Sequence, residues 1–251
     1  MTAVFIKSDV SMKLILVNEV LSGRDAGVFF RGIQATLVDA QKEYGVLFES
    51  ITVENWLDPK VPYVPTNQDC VIYISERNRH PKAAGYHDTD KVHNVPYAYI
   101  SPQAAGSVFG KIHHPLVQLA HKVGSLFIPT RSFGKFQMLS QGAFLATVHE
   151  ILEILGDPWI KTISGVLPGT TQDSQDRGWL MEICDPVDQC FVLWTDPVTG
   201  QDCVNTDWVL KNFYNKDWVG AVTHNRSIAT PFTLGEGGYA FWDNKGVFTK
   251  V

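Results

Sequence analysis

The chain has few cysteines, and they are widely spaced. Cys70, Cys184, Cys190 and Cys203 are the only four in 251 residues, and no two of them form a C-x-x-C pair. This scarcity argues against a disulfide-stapled secreted scaffold and against a cysteine-based metal site. We therefore expect reduced thiols, although a Cys190–Cys203 bridge across a hairpin is conceivable.

Basic charge and long apolar runs are also scarce. The chain has 21 Lys and Arg against 26 Asp and Glu, which gives a formal net charge of -5. Nucleic-acid binders draw much of their affinity from neutralising phosphates, so we expect no nucleic-acid partner; a local patch around Lys111–Lys122 is the one exception left open. No stretch approaches the ~18 apolar residues of a membrane helix. Met1–Val10 also lacks the apolar region and cleavage site of a signal peptide, so we expect no membrane segment.

The composition, 45% hydrophobic and 19% charged, is that of a globular domain. Lys13–Asn18 predicts the first core strand, with residues 1–12 before it as an N-terminal arm. Arg31–Tyr44 has the spacing of an amphipathic helix that stops at Gly45, and Gln137–Gly156 is the strongest helical pattern. Other segments predict strands at Val46–Val53, Cys70–Ser75, Val95–Ser101, Trp179–Cys184, Cys190–Trp194 and Gln201–Asn205, a loop at Ala83–Asp88, a short helix at Pro115–Val123 and a glycine-rich segment at Phe232–Phe241.

Strands and helices do not alternate regularly along the chain, and this predicts the α+β class rather than a doubly wound α/β fold. The part after Pro158 is rich in predicted strands. We expect one α+β domain over residues 13–251, with a subdivision near Asp157 as the alternative.

The helix Gln137–Gly156 carries the motif His149-Glu150-x-x-Glu153. Successive helical residues turn by ~100°, so His149 and Glu153 lie one above the other on one face. Two donors one turn apart suit a divalent cation, and Glu150 beside them suits a general base acting on metal-bound water. The polar face of an ordinary amphipathic helix is the competing interpretation. The core-facing side is assigned to Phe144, Leu145, Val148, Ile151, Leu152 and Leu155, and an open surface near the pair to Gly142, Ala146 and Gly156.

Two motifs carry a resemblance. The segment Thr147–Pro158, with its His-Glu-Ile-Leu-Glu core and Asp-Pro end, and Met181–Val187, with Glu-Ile-Cys-Asp-Pro, resemble a family of mostly uncharacterised bacteriophage and prophage proteins. Shorter matches at Lys13–Asn18, Gly85–Asp88 and Pro231–Tyr239 extend the resemblance over most of the chain from Met12 onward. It implies a zincin-like fold, that of zinc metallopeptidases, with a mixed sheet, a backing helix and the central H-E-x-x-E helix. It also implies a virion protein made in the host cytoplasm.

The motif departs from that of a zincin at two positions. Glu153 stands where zincins have a second His, and Trp159 stands where the metzincin branch has a third. A third ligand must therefore come from elsewhere, and the candidates are Asp157, Glu182 and Asp185, with His87 as an outside choice. Gly85–Asp88 is otherwise interpreted as a turn with exposed polar groups, and the adjacent His113-His114 is not expected to chelate.

Ligand charge bears on which ion binds and on what it does. One neutral His and two carboxylates cancel the charge of a divalent ion, which makes it a weaker Lewis acid than in a His-His-Glu site. Zinc is expected, and the oxygen-rich ligand set also accepts Mn²⁺, Mg²⁺ or Ca²⁺.

Two functions follow from these observations. The first is a virion-associated or phage-encoded protein whose zincin-like, metal-binding domain has a mainly structural or assembly role; the altered ligand set favours it. The second is an active metallopeptidase, weak or vestigial, acting in phage maturation or when the phage enters its host; the retained Glu150 favours it. Tryptophan is enriched at interface hot spots, so the aromatic C-terminal third predicts contact with a phage structural protein or a second copy of the chain through Trp194, Trp208, Trp218 and Trp242.

Overall fold

The computed structural model describes residues 12–20, 23–45, 47–55, 63–75, 83–107, 135–158, 163–166, 178–214, 218–235, 237–244 and 247–250. Trp159, the predicted helix Pro115–Val123, His113-His114 and all of the predicted N-terminal arm except Met12 lie outside these residues. The two long helices of the described part are α1 (Gly23–Tyr44) and α2 (Lys135–Gly156), and residues 102–107 form a short helical segment. The strands are β1 (Met12–Asn18), β2 (Phe48–Asn55), β3 (Asp69–Ile74), β4 (Gly85–Asp90), β5 (Val95–Ile100), β6 (Ile163–Val166), β7 (Gly178–Leu180), β8 (Phe191–Thr195), β9 (Asp202–Thr206), β10 (Phe241–Asn244) and β11 (Val247–Lys250).

The main sheet has five strands in the order β2-β1-β3-β5-β4. Strands β2, β1, β3 and β5 run parallel, and β4 joins β5 antiparallel at one edge. The helix α1 connects β1 to β2, as a parallel pairing of consecutive strands requires. The mixed sheet and the long helices agree with the predicted α+β class.

Strand β1 lies inside this sheet, between β2 and β3, and is apolar on both faces. Leu14 and Leu16 belong to the main core, whereas Ile15 and Val17 pack with Val71 on the opposite face. A strand buried on both faces reads as a continuous apolar run, which is why Leu14–Val17 is recognisable from the sequence.

The two helices pack on each other at Phe144 of α2. Its ring meets Phe29 edge-on, with ring centroids 5.5 Å apart, and stacks against Trp194 of β8 at 6.3 Å. A Cβ atom on Gly32 of α1 would lie 2.5 Å from the Phe144 ring. Glycine at this position therefore permits the close approach of the two helices.

Three sequence-based element predictions require correction. The helix α1 begins at Gly23 rather than Arg31, because Val28 and Phe29 extend its buried face toward the N-terminus. The stretch predicted as a loop at Ala83–Asp88 is wrong, since Gly85–Asp90 is the edge strand β4. The predicted strand Trp179–Cys184 ends at Leu180, and the chain later enters a 3-10 turn at Asp185–Val187, whose second residue is a proline.

The C-terminal part is joined to the rest through one main core. The hairpin of β8 and β9 is held to α1 by Arg31, whose Nε and Nη2 donate to the two carboxylate oxygens of Asp196 at 2.7 Å each. A second small sheet has the order β11-β10-β7-β6. Buried residues on both sides of Asp157, from Met12 to Ala240, belong to the same core cluster.

The cysteines, and the tryptophans Trp208 and Trp218, can be placed relative to the core. All four cysteines are free thiols. Trp208 is 2% exposed and stacks on His224, so it is part of the core, whereas Trp218 is 40% exposed. Contact between this region and another protein stays a prediction. Neither described helix combines the length and the apolar character that crossing a membrane requires.

Candidate metal centre

The three charged residues of the helix motif face the interior rather than solvent. The side chains of Glu150 and Glu153 are 8% and 5% exposed, and that of His149 is 14% exposed. The open surface predicted around them is wrong. A Cβ atom on Gly142 would lie 2.6 Å from the backbone of residue 105, and one on Gly156 would lie 2.5 Å from Ile183. These glycines allow neighbouring segments to pack closely on α2, which a helical wheel alone does not reveal.

One cluster of possible ligands joins α2 to the 3-10 turn. His149 Nε2 lies 3.0 Å from Glu153 Oε1 and 3.3 Å from Asp185 Oδ1. The three groups offer ligand atoms that all lie within 4.8 Å of one another. Ligand atoms bound to a tetrahedral ion at about 2.0–2.2 Å are about 3.3–3.6 Å apart, so only small shifts would bring these atoms to an ion. We call this group the helix–turn group.

A second cluster joins α2 to the edge strand β4. His87 Nδ1 lies 3.0 Å from Glu150 Oε2, with which it forms a hydrogen bond, and 3.4 Å from Glu153 Oε2. His87, Glu150 and Glu153 offer ligand atoms within 4.8 Å of one another. We call this the strand–helix group, and it shares Glu153 with the helix–turn group.

His87 corrects the interpretation of its segment as an exposed turn. Its side chain is 6% exposed because β4 brings it against α2. A Cβ atom on Gly85 would lie 2.7 Å from Glu150 Oε1, so this glycine is what lets the helix carboxylate approach the strand. The glycine two residues before a histidine is the sequence signal for this contact, but its meaning depends on the pairing of β4 with β5.

Three buried polar atoms in or next to the two groups lack a hydrogen-bond partner among the described residues. They are His87 Nε2, Glu153 Oε1 and Glu182 Oε2. Glu182 Oε2 lies 3.5 Å from His87 Nε2 without forming a hydrogen bond. An unsatisfied buried polar group costs about 1–3 kcal/mol, more when it is charged, and a cation would satisfy the Glu153 oxygen.

The two histidines have raised pKa values although both are buried. Burial by itself lowers the pKa of His87, but its hydrogen bonds to Glu150 and Glu153 and the charge of Glu182 outweigh burial and raise it well above the usual range. Burial likewise lowers the pKa of His149, and the charge of Glu153 with the contact to Asp185 raises it well above the usual range. Without an ion, both rings therefore hold a second proton readily.

The carboxyl groups divide according to their neighbours. Burial, reinforced by the charge of Glu153, raises the pKa of Asp185 to about 7 and raises the pKa of Glu182 well above its usual range. Burial also raises the pKa of Glu150, although the hydrogen bond from His87 opposes it. For Glu153, burial raises the pKa but the charge of His149 outweighs it, so this pKa is lowered. The raised pKa values of His87 and His149 and the lowered pKa of Glu153 favour positive charge beside Glu153. A metal ion could supply that charge in place of the histidine protons.

Two further residues of the site were not predicted. Tyr239 forms a side-chain hydrogen bond with the carboxyl group of Asp185, and its backbone N–H donates to Asp185 O at 2.9 Å. A Cβ atom on Gly238 would lie 2.1 Å from Pro186 O, so the glycine-rich segment can lie directly on the turn. Asp188 Oδ1 lies 3.8 Å from His149 Nδ1.

The structure thus divides the predicted site residues between the two groups and their surroundings. His149, Glu153 and Asp185 meet in the helix–turn group, and Glu150 lies in the strand–helix group. Glu182 faces His87 instead of His149, and neither group includes Asp157. Their roles in metal binding and catalysis stay predictions. Comparison with known proteins finds no matching family model, no matching curated protein and no matching solved structure.

Proposed function

We propose that the protein is a zincin-like metal-binding protein of a bacteriophage virion, in which a divalent ion held by His149, Glu153 and Asp185 stabilises the fold for an assembly role. The observation that carries the metal site is the convergence of these three side chains from α2 and the 3-10 turn, with separations of 3.0 and 3.3 Å. The virion location rests on the resemblance of the sequence motifs.

The arrangement of the sheet supports the zincin-like part of the proposal. The helix with the H-E-x-x-E motif packs against β4 and β5, at the edge where the antiparallel strand lies. The helix α1 acts as a backing helix, joined to α2 at Phe144 and Gly32. This combination of a mixed sheet, a backing helix and a ligand-bearing helix is the one that the resemblance implies.

Charge and burial favour a structural ion over a catalytic one. A neutral His149 with Glu153 and Asp185 cancels the charge of a divalent ion, so bound water would stay less acidic than at a His-rich zinc site. The side chains of Glu153 and Asp185 are each 5% exposed, and that of His149 is 14% exposed. Such a buried, neutral site binds an ion well and leaves little access to a substrate.

One observation favours the alternative, a metallopeptidase. Glu150 sits between the ligands on α2, and His87 holds its carboxylate by the 3.0 Å hydrogen bond. Among the described residues, β4 is the last strand of the sheet and pairs only with β5, so an extended peptide can add to its other side as a further strand. Under this alternative Glu150 would be the general base, and an ion held by His149 and Glu153 would supply Lewis-acid activation of water.

The test is metal analysis of the purified protein after chelation and dialysis against zinc. We expect wild type to bind zinc, His149→Ala to lose the ion of the helix–turn group, and His93→Ala to behave as wild type. His93 is the matched control because it pairs with Asp90 in the turn after β4, where its side chain is 35% exposed. Wild type without zinc, or His149→Ala with unchanged zinc affinity, would show that the metal site is wrongly assigned.

The assembly role and the peptidase alternative separate in two further measurements. If the ion is structural, phage particles made with His149→Ala contain less of the protein, while purified wild type shows no hydrolysis of an unfolded protein substrate. Hydrolysis by wild type that is lost in Glu150→Gln with zinc retained would favour the peptidase.

A further inference from the structure

We infer that the centre is dinuclear, with the carboxylate of Glu153 bridging two divalent cations. This inference rests on the proposed metal-binding function and adds a second ion to it. The first ion is that of the helix–turn group; the second is held in the strand–helix group by His87, Glu150 and Glu153. The carboxylates and imidazoles of these groups suit Zn²⁺ and Mn²⁺.

The two oxygens of Glu153 point to different histidines. Its Oε1 lies 3.0 Å from His149 Nε2, and its Oε2 lies 3.4 Å from His87 Nδ1. A carboxylate placed in this way can give one oxygen to each of two ions. Ions in two-metal sites are about 3.5–4 Å apart, a spacing that one bridging carboxylate spans.

Each histidine also has a carboxylate at its other ring nitrogen. His87 Nε2 faces Glu182 Oε2 at 3.5 Å, and His149 Nδ1 faces Asp188 Oδ1 at 3.8 Å. Metal-bound histidines almost always donate their second N–H to a carboxylate, carbonyl or water, which fixes the tautomer. Neither contact is a hydrogen bond in this structure, but each places a carboxylate beside the ring nitrogen that faces away from the proposed ion.

The unpartnered atoms agree with an ion at His87 Nδ1. The side chains of His87 and Glu182 are 6% and 8% exposed, yet His87 Nε2 and Glu182 Oε2 have no hydrogen bond among the described residues. When Nδ1 binds an ion, the ring proton must be on Nε2, where it faces the Glu182 carboxylate. The orphaned pair is therefore placed as an ion on Nδ1 requires, with Nε2 toward the carboxylate.

Charge balance supports two ions over one. Four carboxylates are buried around the two histidines: Glu150, Glu153, Glu182 and Asp185. Two divalent ions with neutral histidines cancel these four charges, whereas one ion leaves two negative charges to be covered by protons. Buried charge without compensation is strongly unfavourable. With Glu150 bound to an ion it is no longer a free base, so a second ion also favours the structural role over the peptidase.

The closing experiment counts ions. The protein, stripped by chelation, is dialysed against Zn²⁺ and the bound zinc is measured per chain. We expect two ions in wild type and in His93→Ala, and one each in His87→Ala and Asp185→Asn, with folding checked by circular dichroism. No zinc in wild type would refute both the metal-binding function and the second ion. One ion in wild type that is lost in His149→Ala but kept in His87→Ala would leave the function standing and refute the second ion.

A spectroscopic measurement on wild type decides the case even if the variants do not fold. Mn²⁺ is added to the stripped protein in steps, and electron paramagnetic resonance is recorded at each step. Two Mn²⁺ ions sharing Glu153 lie close enough for their spins to couple, so the second equivalent should change the spectrum to that of a coupled pair. Saturation at one equivalent, or two equivalents that give only an uncoupled spectrum, would refute the bridge.

Discussion

Removal of the ion should lower the melting temperature, and by more at pH 8 than at pH 6. A ligand that binds only the folded state at a free concentration of 100 times its dissociation constant stabilises it by about 2.7 kcal/mol. In a domain of this size each kcal/mol moves the melting temperature by about 2–4 °C. Chelation should therefore lower the melting temperature by about 5–11 °C at pH 8.

The dependence on pH follows from the raised pKa values of the metal-free site. The pKa of Asp185 is raised to about 7 and that of His149 lies well above its usual range, so the folded state holds protons that the unfolded state has released. A group with a raised folded pKa contributes stability at low pH and loses it as pH rises through that pKa. As the pH rises from 6 to 8 the Asp185 carboxyl group loses its proton, which should cost the metal-free protein on the order of 1 kcal/mol, or about 2–4 °C in melting temperature.

The assay is thermal unfolding followed by circular dichroism at pH 6, 7 and 8, with zinc or with a chelator. The metal-free melting temperature should fall from pH 6 to pH 8, and the gap between loaded and metal-free protein should widen. The control is Asp185→Asn, in which the part of the pH slope due to this carboxyl group disappears. Equal melting temperatures with zinc and with chelator at pH 8 would refute the reasoning. It would also be refuted if the melting temperature of metal-free wild type changed with pH to the same extent as that of metal-free Asp185→Asn.

Three other perturbations test the site and the packing behind it. Any peptide hydrolysis by wild type should disappear in Glu150→Gln without unfolding and should survive or rise in Glu153→His; hydrolysis that persists in Glu150→Gln would show that the assigned base is wrong. Gly85→Ala places a Cβ atom 2.7 Å from Glu150 Oε1, so it should destabilise the fold by about 1–3 kcal/mol and weaken zinc binding. A variant with the melting temperature and the zinc affinity of wild type would contradict this. Phe144→Ala should lower the free energy of unfolding in urea by about 3–5 kcal/mol. Gly32→Ala should destabilise wild type but be neutral or stabilising in the Phe144→Ala background, because the clash is gone and alanine favours a helix by about 1 kcal/mol over glycine. Additive effects of the two changes would count against the contact.

Local patterns predicted the elements that depend on local burial. Strand β1 is apolar on both faces and α2 has a long apolar sequence, so both were found close to their observed limits. Strand β4 was missed because its residues are polar or small: Tyr86, His87 and Asp88 alternate on an edge strand whose pairing with β5 supplies the regular structure. Neither propensity nor periodicity reports such a partner.

Local geometry likewise predicted only part of the site. His149 and Glu153 are separated by one helical turn, so their proximity follows from the helix itself. Asp185 was named because the resembling motif contains it, while its competitor Glu182 was equally eligible by sequence. The contact of His87 with Glu150 joins residues 63 positions apart, and that of Tyr239 with Asp185 crosses a glycine-rich segment. These contacts depend on how β4, α2 and the turn dock, and a single sequence does not report that docking.

The distribution of the ligands along the chain has a consequence for the order of events during folding. His87 is on the edge strand, Glu153 is on α2, and Asp185 is in the turn that packs beneath it, so no short segment of the unfolded chain contains a complete ligand set. Contacts between residues far apart in sequence form slowly, because each closes a long loop before it gains any interaction. An ion therefore finds its full coordination only after α2 has docked on the sheet. It should leave the folding rate nearly unchanged and act on the unfolding rate, so that loaded protein persists longer in denaturant although it folds no faster.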